Sequence, residues 1–128
     1  MIILLDTSTP LCKLVLVDGD TSIESEWQAD RTLAKGLLGY IQAQLAAHNN
    51  TWQDVSGIGV YRGPGSFTGL RIGLTVLNTA ADALGLPIIG ATGEGWRRDA
   101  LARLDAGEND MIVLPEYGSE AHITKPRK

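Results

Sequence analysis

Apolar positions along this chain switch between a period of two and a period of about 3.6, and each switch falls at a turn signal. Residues 1–5 (MIILL) form a short unbroken apolar run suited to a strand buried on both faces, ending in Asp6-Thr7-Ser8-Thr9 before Pro10. Residues 11–17 and 21–27 are β-rich runs joined across Asp18-Gly19-Asp20. In the second run Ile23, Ser25 and Trp27 alternate with Glu24 and Glu26, so the pair reads as a hairpin with a half-exposed outer strand. With Asp30 or Thr32 as N-cap, Leu33, Leu37, Ile41 and Leu45 recur at helical spacing up to His48-Asn49-Asn50, which predicts a helix over 32–48.

Residues 55–61 (VSGIGVY) predict a fourth strand, which feeds a glycine-rich turn and a helix over 67–84 closed by Gly85 and Pro87. A short strand over 88–90, a helix over 94–105, a turn over 107–110 and a mostly irregular remainder follow. Three sequential strands pair antiparallel, and the last two join the first in parallel through helical crossovers. The expected fold is therefore α/β, a mixed five-stranded sheet with helices, and its plan resembles a single ribonuclease H-like lobe of the actin-like (ASKHA) architecture. Residues 1–93 would make the lobe and 94–128 a helix and tail completing the same domain.

Composition narrows this picture. A chain of 128 residues, 44% apolar and 20% charged, accommodates one domain with one core. It contains neither a long apolar run that would span a membrane nor a signal-peptide pattern, so the expected location is cytoplasmic. Cys12, the single cysteine, sits in the strand-like LCKLVLV and reads as a small buried apolar residue. A net charge of −4 argues against autonomous nucleic-acid binding. Any basic surface is local, either Arg97, Arg98 and Arg103 or the tail with Lys125, Arg127 and Lys128.

The densest pattern is RGPGSFTGLRIG, residues 62–73. No lysine follows its glycines as a Walker A loop requires, and Thr68 stands where a dinucleotide fingerprint needs its last glycine. A strand-to-helix turn fits, with Gly63-Pro64-Gly65 making the bend and Ser66 capping the helix through the backbone near Thr68 or Gly69. Asp6, Thr7 and the helix start at Ser66 are the candidate anion or phosphate contacts, although the favoured account of Asp6, Thr7 and Ser8 is that they satisfy backbone groups at a strand end.

The cap does not explain Gly69 and Gly73, each of which costs about 1 kcal/mol relative to alanine inside a helix. Gly69, Gly73, Val76 and Ala80 form one stripe beside Leu70, Leu74, Leu77 and Ala81. The preceding helix has a similar small-residue stripe, Gly36, Tyr40, Ala43 and Ala47. These stripes allow close approach of a partner helix, and equally packing against each other or a neighbouring loop. On the first reading Gly36, Tyr40, Ala43, Ala47, Gly69, Gly73, Val76, Leu77 and Ala80 form a partner interface, and Gly73→Leu abolishes pairing while leaving the monomer folded.

The strand ending in Asp6-Thr7-Ser8-Thr9, the signature GPGSFTG-x-R-x-G and the later Gly85-Leu86-Pro87-Ile88-Ile89-Gly90 resemble the TsaB (YeaZ) family. The resemblance is close over 1–93 and weaker beyond, where Pro115 and Tyr117 are similar to the family's C-terminal segment. It implies a non-catalytic actin-like subunit of the bacterial machinery that makes threonylcarbamoyladenosine in tRNA. It further implies pairing through the first two helices with the catalytic homologue TsaD, or as a homodimer. A TsaE-like ATPase joins the pair, ATP and metal lie on partner subunits, and tRNA is met only through the complex. The family's usual second lobe has no counterpart here, so the chain looks like a shortened version. The family's His at the first helix is also missing from Arg31-Thr32-Leu33-Ala34.

Catalytic patterns are otherwise thin. His48 and His122 lack metal-ligand spacing, and Ser66 is not in a G-x-S-x-G elbow. The alternative from another class is a small nucleotide- or phosphate-binding, ATPase-like enzyme using Asp6 and the helix at Ser66.

Overall fold

The computed structural model describes residues 1–116. Tyr117, His122, Lys125, Arg127 and Lys128, and with them the basic tail, lie outside the described residues. The strands are β1 (Ile2–Asp6), β2 (Leu11–Asp18), β3 (Thr21–Gln28), β4 (Gly57–Tyr61) and β5 (Ile88–Ala91). The helices are α1 (Leu33–Ala47), α2 (Phe67–Leu84) and α3 (Trp96–Asp105). One sheet runs in the order β3-β2-β1-β4-β5, antiparallel from β3 to β1 and parallel from β1 to β5.

Alternation along the strands sends side chains to two layers. Ile3 and Leu5 of β1, Leu14 and Leu16 of β2, and Ile58 and Val60 of β4 meet Leu33, Leu37, Ile41 and Leu45 of α1 and Leu74 and Leu77 of α2. Leu4, Val15, Ile89 and Ala91 point to the opposite face, where Trp96 and Ala100 of α3 cover them. Gly57 and Gly59 lie under α3, with Leu104 and Ala100 where their side chains would be. That close approach needs residues without side chains on this face of β4.

Two local expectations are corrected. Asp30–Thr32 is a 3₁₀ turn and neither side chain caps α1, because the Thr32 hydroxyl donates backwards to the Ala29 carbonyl at 2.6 Å and Asp30 accepts from the Gln28 amide at 2.9 Å. The third helix starts at Trp96 and not at 94, after a turn in which the Trp96 N–H donates to the Gly93 carbonyl. The other ends follow local chemistry, with Ser66 capping α2 and Gly85 closing it at φ 67° in the left-handed region.

Candidate functional site

The glycine-rich turn is held from both sides by backbone. The Ser66 N–H donates to the Ser8 carbonyl at 2.8 Å, and the Tyr61 hydroxyl to the Pro64 carbonyl at 2.8 Å. On the other side the Glu116 N–H donates to the Arg62 carbonyl at 2.6 Å. Gly63 has φ 123°, and a Cβ there would overlap the Glu116 carbonyl oxygen, so only glycine fits.

The helical glycines answer to Thr7, which is 4% exposed. A Cβ on Gly69 would overlap the Thr7 carbonyl oxygen, and one on Gly73 would overlap the Thr7 hydroxyl. The Thr7 Oγ1 in turn donates to the Gly69 carbonyl at 2.7 Å, and Ser66 Oγ accepts from the Gly69 N–H at 3.3 Å. The signature thus seats the end of β1 directly on the first turns of α2. The propensity loss of about 1 kcal/mol per glycine is offset by a buried, hydrogen-bonded contact of the kind that each contributes roughly the same amount.

Asp6, Thr7 and Ser66, the candidate anion contacts, are therefore engaged locally. Thr7 and Ser66 meet at Gly69, while the Asp6 carboxylate turns back to accept from the Ser8 N–H at 2.8 Å. This is the strand-end role that the sequence offered as the alternative.

The expected partner interface is redistributed by the fold. Gly73 and Leu77 are buried in this chain's own interior, and the half-buried Gly69 is already in close contact with Thr7. A Cβ on Gly36 would run into the Trp27 ring, and Tyr40 stacks on Trp27 with centroids 5.1 Å apart while its hydroxyl donates to Ser25 Oγ at 2.6 Å. Burial against this strand pushes the Tyr40 phenol above its ordinary range. The α1 stripe therefore begins against β3 and not beside α2. Ala43 and Ala47 are exposed, and Val76 and Ala80 are half-buried.

What remains open is a groove of about 370 Å³ lined by Ala34 of α1 and by Thr68, Arg71, Ile72, Thr75 and Val76 of α2. Leu38, one turn beyond Ala34, is 47% exposed, and Phe67 at the start of α2 is 54% exposed. Of these positions the sequence reading named only Val76. The signal that would have found the rest is a second apolar pair on each helix, Ala34 with Leu38 and Ile72 with Val76, each at four-residue spacing outside the core stripe.

Other candidate groups are occupied or sealed. Arg97 pairs with Glu24 at 3.4 Å, and Arg103 bridges Glu108 and Asp110 at 2.7 Å each, which leaves Arg98 of that trio exposed. Among the described residues no group of three or more His, Cys, Asp or Glu side chains is placed to hold a metal ion. Cys12 is 1% exposed, and its thiol is pushed up to about 11, first by burial and second by the Asp6 charge. A thiol reagent is therefore expected to label the folded chain at neutral pH far more slowly than the denatured chain. Labelling at equal rates would show that β2 opens readily.

Comparison with known proteins identifies this arrangement. A family model described as TsaD: tRNA N6-adenosine threonylcarbamoyltransferase matches residues 27–92, just over half of the 128. The chain belongs to this family. Within it the chain is a member of the TsaB/YeaZ group. It is 29% identical over 121 residues to the tRNA threonylcarbamoyladenosine biosynthesis protein TsaB of Haemophilus influenzae, covering 94% of this chain and 51% of that protein. The Escherichia coli protein of the same name is 29% identical over 110 residues, covering 80% of this chain and 47% of that one.

Among solved structures, YeaZ from Pseudomonas aeruginosa superposes with a TM-score of 0.68 at 28% identity, covering 83% of this chain and 49% of that one. A second Pseudomonas aeruginosa structure, described as similar to peptidase YeaZ, gives 0.67 at 31% identity over 71% of this chain and 42% of that one. The TsaB/YeaZ group accounts for the α/β ASKHA-like lobe, and the chain spans about half the length of the curated relatives it matches. Among the described residues no helix is long and apolar enough to cross a membrane.

Proposed function

We propose that this chain is a non-catalytic docking subunit in tRNA threonylcarbamoyladenosine biosynthesis, which pairs through α1 and α2 with a TsaD-like transferase and holds it in its active arrangement. The observation that carries this reading is the groove left open between the two helices, in which Ala34, Ile72 and Val76 form an apolar strip beside Thr68, Arg71 and Thr75, with Leu38 exposed one turn along α1. Small and branched side chains in such a groove suit a helix laid across it. The printed names of the relatives supply the pathway. On this reading ATP and metal are bound by partner subunits, including a TsaE-like ATPase, tRNA is met through the assembled complex in the cytoplasm, and in isolation the same face forms a homodimer. A nucleotide- or phosphate-binding role has less behind it, because Asp6 Oδ1 and Ser66 Oγ already accept from the Ser8 and Gly69 N–H groups and the Thr7 hydroxyl already donates to the Gly69 carbonyl.

The test is to mix the purified chain with the TsaD-like protein of the same genome and measure masses by light scattering. A one-to-one complex is expected. The double variant Ala34→Glu, Thr75→Glu alters two exposed groove positions, so its unfolding midpoint should change little while the complex is lost. Two unmixed peaks with the wild-type chain would remove the docking reading. A variant that still pairs at wild-type affinity would move the interface elsewhere.

A further inference from the structure

The charged residue in the lining of the open groove is a cation, Arg71, and two more cations stand at the start of α1. Arg31 just before α1, Lys35 in its first turn and Arg71 in the second turn of α2 are all exposed, and none forms an ion pair among the described residues. Arg71 lies over the Phe67 ring at 5.4 Å and lines the groove itself. α1 contains no acidic residue, and α2 has only Asp82, about 16 Å along the helix from Arg71 at 1.5 Å per residue. Asp30, the carboxylate beside Arg31, is held by the Gln28 amide. Arg71 thus lines the groove, Arg31 lines the adjoining cleft at the start of the two helices, and Lys35 is the exposed neighbour of the groove residue Ala34, on a chain whose formal net charge is −4.

Their position works against the fold's own interest. The connection order makes α1 and α2 run in the same direction, so their N-termini lie together, and residues of both ends line a single cleft. Cations near a helix N-terminus are disfavoured by the helix dipole, which bears on Arg31 and Lys35 at the start of α1 with Asp30 as the neighbouring carboxylate, while Arg71, one turn into α2, rests on the Phe67 ring and forms no ion pair among the described residues. We infer that the groove selects a partner whose docking helix combines an apolar stripe with carboxylates facing Arg31, Lys35 and Arg71, in preference to a second copy of this chain. This rests on the docking role proposed above and adds its specificity. A symmetric pair centred on the groove brings the same patch to itself, so the cations of one copy are set beside those of the other while α1 and α2 supply no carboxylate nearer than Asp82. The lining is mixed, with Thr68, Arg71 and Thr75 beside Ala34, Ile72 and Val76, and the apolar half favours a protein over tRNA as the occupant because phosphate contacts gain nothing from it.

The experiment titrates the wild-type chain and the variant Lys35→Glu, Arg71→Glu against the TsaD-like homologue at low and high salt, with self-association and tRNA binding measured on the same samples. The wild-type complex is expected to weaken as salt rises. The variant should bind at least about tenfold more weakly and lose most of that salt dependence, mainly through a slower on-rate. An equimolar mixture of wild type and variant should form dimers more readily than the wild type alone, because the cations of one copy are then set beside the glutamates of the other. A wild-type complex that is indifferent to salt and to charge reversal would overturn the charge selection and leave the docking role standing. Absence of any complex would overturn both. Tight tRNA binding by the chain alone, lost in the variant while the protein complex is unaffected, would assign the cations to RNA instead.

Discussion

Gly73→Leu is expected to destabilise the folded monomer strongly, and not only to disturb its pairing. Position 73 is buried, and even a Cβ there would overlap the Thr7 hydroxyl. A leucine must displace Thr7 or tilt α2. Thr7 has little room to move, because its carbonyl lies against Gly69 and its hydroxyl donates to the Gly69 carbonyl at 2.7 Å. Overpacking in a well-filled core costs about 1–3 kcal/mol and more where backbone must shift, against a typical total stability of roughly 5–15 kcal/mol. Chemical denaturation followed by circular dichroism should show a large drop in midpoint or no folded baseline.

Gly73→Ala separates the two opposing effects at this position. The gain in helix propensity is about 1 kcal/mol, yet the added methyl still overlaps the Thr7 hydroxyl, so a net loss is expected. Thr7→Ala in the same chain removes the overlapping hydroxyl and Cγ2 and should recover part of that loss. A wild-type midpoint for Gly73→Leu would mean that α2 does not rest on the end of β1.

Leu77→Ala is expected to act on stability and to leave partner affinity nearly unchanged in the fraction that folds. Leu77 is fully buried among the residues of the core between the sheet and the two helices. Truncating such a leucine removes its transfer free energy and leaves a cavity, a loss of about 2–5 kcal/mol. The measurement is the denaturation midpoint beside a binding titration at a temperature where the variant is still folded. Lost binding with an unchanged midpoint would put Leu77 on the docking surface.

Much of the fold was legible because period and punctuation agree along the chain. Strict spacing of Leu33, Leu37, Ile41 and Leu45 marks the buried face of α1, and Ser66 and Gly85 bound α2 by local chemistry alone. The order of elements then leaves few ways to connect the sheet, and the observed order β3-β2-β1-β4-β5 is the one expected. Helix starts were less legible. Asp30 and Thr32 are two good capping residues separated only by Arg31, yet their side chains bond elsewhere.

The site was legible in composition but not in direction. Small residues at four-residue spacing show that something approaches closely, and helical periodicity carries no information about what that is. Trp27 lies on a different element from Gly36, and Thr7 is 66 residues from Gly73 in the chain, so those contacts exist only once the sheet is assembled. The sequence by itself determined the elements, their order, the glycine-rich turn and its cap, because these depend on side-chain period and on interactions within a few residues. Only the tertiary structure decided that Gly36, Gly69 and Gly73 serve the chain's own contacts with Trp27 and Thr7, and that an open groove with Arg71 in its lining lies between Ala34 and Val76. Which face of a helix is already covered depends on neighbours that are distant in the chain.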